Sequence, residues 1–205
     1  SSGFQSGSTY KVFTLAEWLT KGFTLSDHID ARVKEWNTSD FKARCTSGGF
    51  TGTWAPKNDS KAKDDVTALQ ATAGSINTAF ASMAQQLDLC DIRDTAMRFG
   101  VHRADGDELV YFPSSILGIN ELSPLTMAAA MAGIANKGVY CTPIAIESVT
   151  VRATKSILPV PQSQCSEAVT PEVAAGMTYA MQRVISGGTG GASSTGDGTP
   201  LAGKT

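Results

Sequence analysis

The stretch Tyr10-Lys11-Val12-Phe13-Thr14-Leu15-Ala16-Glu17-Trp18-Leu19-Thr20 places apolar side chains at Val12, Phe13, Leu15, Ala16 and Leu19. Successive residues of a helix are offset by about 100°, so these positions do not gather into one stripe. Such a helix has to be enclosed by other elements, and the rest of the chain is constrained to pack around it, with Gly22 as its stop. At its entrance stands Ser8-Thr9-Tyr10-Lys11. Residues three apart in a helical turn share a face, so the Lys11 amine can reach the Ser8 hydroxyl. A serine hydroxyl is a poor nucleophile at neutral pH and needs a base beside it. The buried helix thus carries a candidate nucleophile and its base at the first turn.

Two further stretches bear on that pair. Ser75-Ile76-Asn77 follows Gly74 on a small-residue turn between two helical patterns, and Ala202-Gly203-Lys204-Thr205 opens a K-T-G element. An S-x-x-K, a serine-containing turn and a K-T-G in this order form the combined signature of penicillin-binding proteins and class A β-lactamases.

Composition narrows the function classes. With 205 residues, 41% hydrophobic and 18% charged, the chain has an ordinary globular composition and can bury one sizeable core. A formal charge of −2 without a dense Lys/Arg block argues against nucleic acid or an anionic membrane as the main partner. No apolar run reaches bilayer length, and any export signal or anchor is expected upstream. Cys45, Cys90, Cys141 and Cys165 lack C-x-x-C spacing and have only two histidines for company, so neither a metal site nor a cofactor is expected. Two disulfides suit an oxidising compartment, with Cys45–Cys90 and Cys141–Cys165 favoured because each closes a plausible local loop.

Along the chain, residues 24–36 read equally well as a helix capped by Ser26 or as extended chain. Residues 38–60 read as a long surface loop pinned through Cys45. Helices are expected over Val66 to Ala73, Ile76 to Leu87 and Ile92 to Phe99, with turns from Val101 to Asn120. Ser123-Pro124 and Thr170-Pro171 each pair a cap with a proline at the first helical position, predicting helices over Thr126 to Ala135 and Val173 to Ile185. The small-residue face from Met127 to Gly133 predicts close packing in the core. Val139 to Val151 alternates around Pro143 as an edge strand or hairpin continued by Ile157 to Val160. Gly190 to Gly198 reads as a flexible loop, and Pro200 to Thr205 as the start of a strand.

Taken together, these residues resemble the transpeptidase domain of bifunctional, class A penicillin-binding proteins. The likeness runs through Gly7-Ser8-Thr9-Tyr10-Lys11, Trp54-Ala55-Pro56-Lys57-Asn58, Ser75-Ile76-Asn77-Thr78-Ala79, Leu117-Gly118 and Ser123-Pro124-Leu125-Thr126-Met127-Ala128. It continues in Ala135-Asn136-Lys137-Gly138-Val139-Tyr140, Met181-Gln182-Arg183-Val184-Ile185, Gly188-Thr189-Gly190 and Ala202-Gly203-Lys204-Thr205. The resemblance implies an α+β, serine β-lactamase/DD-transpeptidase-like fold. Residues 1–205 would be a partial transpeptidase domain, mainly the helical lobe, because the family's antiparallel sheet lies before the S-x-x-K helix and from the K-T-G onward. It implies a serine D,D-transpeptidase cross-linking peptidoglycan stem peptides and acylated by β-lactam antibiotics. An upstream glycosyltransferase domain and a membrane anchor would place it at the extracytoplasmic face of the bacterial membrane.

On that reading Ser8 is the nucleophile, Lys11 its base and Ser75 the relay of a proton to the leaving group. Asn77 would hydrogen-bond the stem peptide, Lys204 would attract its terminal carboxylate, and Thr205 would line the same wall. Lys11 must lose its proton well below the usual ~10, and burial, the helix dipole and the Lys204 charge all push that way. The Ser8 N–H would be one donor to the oxyanion, and the other is expected just past Thr205, so the isolated piece is expected to be inactive or incomplete. A class A β-lactamase is the nearest alternative, but Ile76 stands where those enzymes usually carry Asp, and Glu121 is the only candidate for their deacylating carboxylate. A non-catalytic penicillin-sensing receptor is the alternative from another class. His28, His102 and the tryptophans are expected to be structural, with Trp54 able to line the cleft rim.

Overall fold

The computed structural model describes residues 3–205. The chain enters through β1 (Phe4–Gln5) and a 3-10 turn at Gly7–Tyr10 that runs directly into α1 (Lys11–Thr20). Every residue from Lys11 to Trp18 is buried, as the all-round apolar pattern requires. Gly22, in a left-handed conformation, ends the helix, and Trp18 stacks on Phe23 at 3.9 Å.

The segment that read two ways is extended. β2 (His28–Asp30) pairs antiparallel with β5 (Asp65–Thr67), setting buried Ile29 opposite buried Val66. Val66, expected in a helix, therefore belongs to a strand. Between these strands, residues 38–60 are mostly irregular, but their base is closed by β3 (Trp36–Asn37) against β4 (Thr53–Trp54). Phe41 packs between Trp36 and Trp54, which makes all three aromatics packing residues. Cys45 is bonded to Cys90, so the loop is pinned where expected.

α2 (Ala68–Ala73) starts with a capping box between Thr67 and Gln70 and stops at Gly74. α3 (Asn77–Gln86) follows after the three residues Gly74-Ser75-Ile76. α4 (Leu89–Arg98) begins three residues before the periodicity suggested, because the Asp88 side chain accepts from the Cys90 N–H and caps it. α1 packs against α2, α3 and α4. Buried Glu17 of α1 accepts from Thr95 Oγ1 of α4 at 2.7 Å, with Lys21 at 3.3 Å, so this carboxylate is compensated.

After the turns of 101–120 comes β6 (Glu121–Leu122), which pairs with β1. α5 (Pro124–Ala135) and α6 (Pro171–Gly187) start as predicted, with Ser123 and Thr170 accepting from the backbone N–H three residues on. The small-residue face of α5 is a correction: Ala130 and Gly133 are buried, whereas Ala128 and Ala132 are exposed. α5 lies against α6 and β7 (Val139–Cys141) on one side only.

β7 does not continue into 157–160. β8 (Val149–Thr150) pairs with β9 (Ile157–Leu158), and β7 pairs with β10 (Cys165–Glu167), bringing Cys141 opposite Cys165 at a Cα separation of 4.0 Å, where they are bonded. Residues 200–205, expected to begin a strand, are irregular and lie along α6, with Gly203 N–H donating to Met181 O. Among the described residues every sheet has two strands, so helices supply the core. None is long and apolar enough to cross a membrane.

Candidate active site

Ser8 lies on the 3-10 turn rather than in the first turn of an α-helix. Residues three apart eclipse one another in a 3-10 turn, so Ser8 and Lys11, the first residue of α1, lie on one face. Lys11 Nζ is 2.9 Å from Ser8 Oγ. The turn is seated on a distant segment: Gly7 N–H donates to Gly118 O at 2.9 Å and Ser6 N–H to Asn120 O at 3.2 Å. Gly118 is left-handed, and a Cβ there would stand 1.9 Å from Gly7 O, so only glycine lets the two backbones meet.

Ser75 sits on the turn between α2 and α3 with φ of 52°, an uncommon conformation for a residue with a side chain. The turn aims both its polar groups at Lys11, with Nζ 2.8 Å from Ser75 O and 3.2 Å from Ser75 Oγ. Asn77 opens α3, and its Oδ1 is 2.5 Å from the same Nζ. The cap of α3 comes instead from Asn58, whose Oδ1 accepts the Thr78 N–H at 3.0 Å. Asn77 Nδ2 donates to Lys57 O at 2.7 Å, leaving one amide hydrogen free for a ligand.

Lys204 Nζ is 2.6 Å from Ser75 Oγ, so this hydroxyl touches both amines. Thr205 Oγ1 is hydrogen-bonded to Thr189 Oγ1, and Thr189 N–H donates to Ala73 O at the end of α2. The predicted residues Ser8, Lys11, Ser75, Asn77, Lys204 and Thr205 are thus brought together. Beside them opens a cleft of about 280 Å³ lined by Ser8, Ser75, Thr189, Thr205 and the Asn58-Asp59-Ser60 segment.

Burial, and next the positive charge of Lys204, push the Lys11 amine from its ordinary range down to about 7, against the opposing pull of Asp59. Burial alone brings Lys204 to about 8. The hydrogen-bond inventory fits a neutral Lys11. Ser75 O and Asn77 Oδ1 can only accept, and the two hydrogens of an amine satisfy them. The lone pair is then left for the Ser8 hydroxyl, as a general base requires.

Asn58, Asp59 and Thr189 are site residues to which the motifs assigned no role, although Asn58 and Thr189 stood inside matched stretches. Glu121 is exposed on β6 and does not line the cleft. His28 pairs with Asp65 and His102 with Gly100 O, both on the surface. Among the described residues no His, Cys, Asp and Glu cluster is grouped to hold a metal.

The family model described as the penicillin binding protein transpeptidase domain matches residues 1–205. Penicillin-binding protein 1A of Aquifex aeolicus (strain VF5) is 29% identical over 201 residues, covering 91% of this chain but 26% of its own length. The chain therefore spans about a quarter of that relative. Among solved structures, the D,D-transpeptidase domain of a peptidoglycan glycosyltransferase from Eggerthella lenta superposes with a TM-score of 0.76 at 22% identity, covering 100% of this chain and 54% of that one. Penicillin-binding protein A of M. tuberculosis, solved as a penicillin G acyl-enzyme complex, gives 0.71 at 23% identity, covering 90% of this chain and 44% of that one. The fold is that of these serine β-lactamase-like domains, and with the whole of its length matched the chain belongs to the penicillin-binding protein transpeptidase family.

Proposed function

We propose that this chain carries the acylation centre of a serine D,D-transpeptidase, which joins peptidoglycan stem peptides through an ester on Ser8 and is blocked by β-lactams at the same hydroxyl. The observation that carries this reading is the 2.9 Å approach of a buried, proton-poor Lys11 amine to Ser8 Oγ. Lys11 Nζ takes the Ser8 proton as Oγ attacks the carbonyl carbon of the penultimate D-Ala. The tetrahedral intermediate collapses when the departing D-Ala nitrogen receives a proton. Ser75, between Lys11 and Lys204, supplies it and is recharged from Lys11.

Lys204 contributes positive charge for the terminal carboxylate of the peptide or of the penicillin. The free amide hydrogen of Asn77 faces a peptide carbonyl, while its oxygen keeps Lys11 in place. Relatives named penicillin-binding protein 1A and a neighbour solved as an acyl-enzyme support the assignment. With it go an upstream glycosyltransferase domain, a membrane anchor and a place at the extracytoplasmic face of the membrane.

The test is covalent labelling of the native-length protein with a fluorescent penicillin, followed by peptide mapping. Label is expected on Ser8, lost in Ser8→Ala and reduced at least a hundredfold in rate in Lys11→Ala. An unlabelled wild-type protein, or label on another residue, overturns the assignment.

A further inference from the structure

Asp59 is the only charged side chain among the residues lining the cleft beside Ser8 and Ser75. Among the described residues its exposed carboxylate makes no hydrogen bond or ion pair, whereas Asp30, Asp91, Asp94 and Asp105 are each held by an arginine. Yet the backbone around it is fixed. Asn58 bonds Thr78 through both its amide oxygen and its amide nitrogen, and Lys57 O accepts from Asn77. A carboxylate held at the mouth of a reactive cleft without a partner is placed to meet a cation from outside.

We propose that Asp59 binds the ammonium group of the incoming acyl acceptor, so that the ester on Ser8 passes to an amine in preference to water. This deepens the acyl-transfer reading above and rests on it. The donor peptide is drawn by its carboxylate to Lys204, and the negative charge of Asp59 turns that carboxylate away from the acceptor end. Once the leaving group has gone, the second substrate brings an alkyl amine, which is protonated at neutral pH. An ion pair with Asp59 raises the local concentration of that amine, and neutral water gains nothing from it.

The step balances around residues already in place. One proton of the ammonium passes to Lys11 Nζ, which frees the nitrogen lone pair. The nitrogen bonds to the ester carbonyl carbon, and the bond from that carbon to Ser8 Oγ breaks. A second proton goes to Ser8 Oγ, and the third stays on the new amide.

The experiment is a partition measurement on the native-length protein, with a D-alanyl thioester as donor and D-alaninamide as acceptor. Both products arise from one acyl-enzyme, so their ratio is independent of the acylation rate. Asp59→Asn should lower the amide-to-hydrolysis ratio about two- to fivefold, the range expected of an exposed ion pair, and Asp59→Glu should keep most of it. Added salt should lower the wild-type ratio toward that of Asp59→Asn. An unchanged ratio in Asp59→Asn overturns the proposal, as does a parallel fall of both products, which would make Asp59 a base serving water and amine alike. A wild-type protein that no penicillin labels fails before acceptor is added and overturns the acyl-transfer reading itself.

Discussion

Four oxygen atoms crowd the Lys11 amine, and its proton count decides what they do. Acylation by penicillin should rise with pH through about 7, as Lys11 becomes neutral, and fall through about 8, as Lys204 loses the charge that attracts the drug's carboxylate. A rate flat from pH 6 to 9 would remove both assignments. The same shift acts on stability. Because the folded state lowers Lys11 below its unfolded value near ~10, the unfolded chain binds more protons between about 7 and that value. Stability should therefore climb with pH across this window, and urea titrations should show a smaller climb in Lys11→Met. Ser75 separates chemistry from backbone. Ser75→Ala should slow acylation about a hundredfold. Ser75→Gly should be as slow but more stable than Ser75→Ala, by roughly 1 kcal/mol, because glycine adopts the left-handed turn without strain.

At the level of elements, the contact to break is the one beneath the nucleophile. Gly118→Ala would drive a Cβ into the Gly7 carbonyl, so the 3-10 turn must shift and Ser8 with it. We expect a loss of about 2 kcal/mol or more in stability and a fall in penicillin acylation beyond what the lost folded fraction explains, read by denaturation and by stopped-flow labelling. Helices were legible where sequence carries its own start signal, as at Ser123-Pro124 and Thr170-Pro171. α4 starts ahead of its apolar periodicity because its cap, Asp88, precedes that pattern. The strands were the least legible. Phe4–Gln5 has no strand pattern of its own and is defined by Glu121–Leu122, and Val66 looks helical until Ile29 lies opposite it. Where no strand among the described residues stands alongside, as at 200–205, an extended-looking segment stays irregular.

Across the whole molecule, two cross-links of unequal reach hold the chain. Cys45–Cys90 closes a separation of 45 residues and anchors the strap that carries Asn58 and Asp59 to the cleft. Chain entropy puts its removal at up to about 4 kcal/mol. Cys45→Ser with Cys90→Ser should lower the melting midpoint by roughly 10 °C and slow acylation as the strap loosens. The Cys141–Cys165 pair ties two short strands away from the cleft, so replacing it should leave acylation within about twofold while still costing stability. The pairing itself was legible from loop lengths. Of the site, the motif residues were legible, because their chemistry fixes their type and spacing. Asp59 was not, because its relevance comes from where the strap sets it down.

The seat of Ser8 and its neighbours also ties reactivity to time. Contacts spanning 112 positions from Ser6 Oγ to Gly118 O, 66 from Lys11 to Asn77 and 129 from Ser75 to Lys204 have to close before the hydroxyl differs from any other serine. On the proposed acyl-transfer reading, a nascent or partly folded copy would be inert toward peptide and drug alike, and reactivity would arrive only with the finished fold.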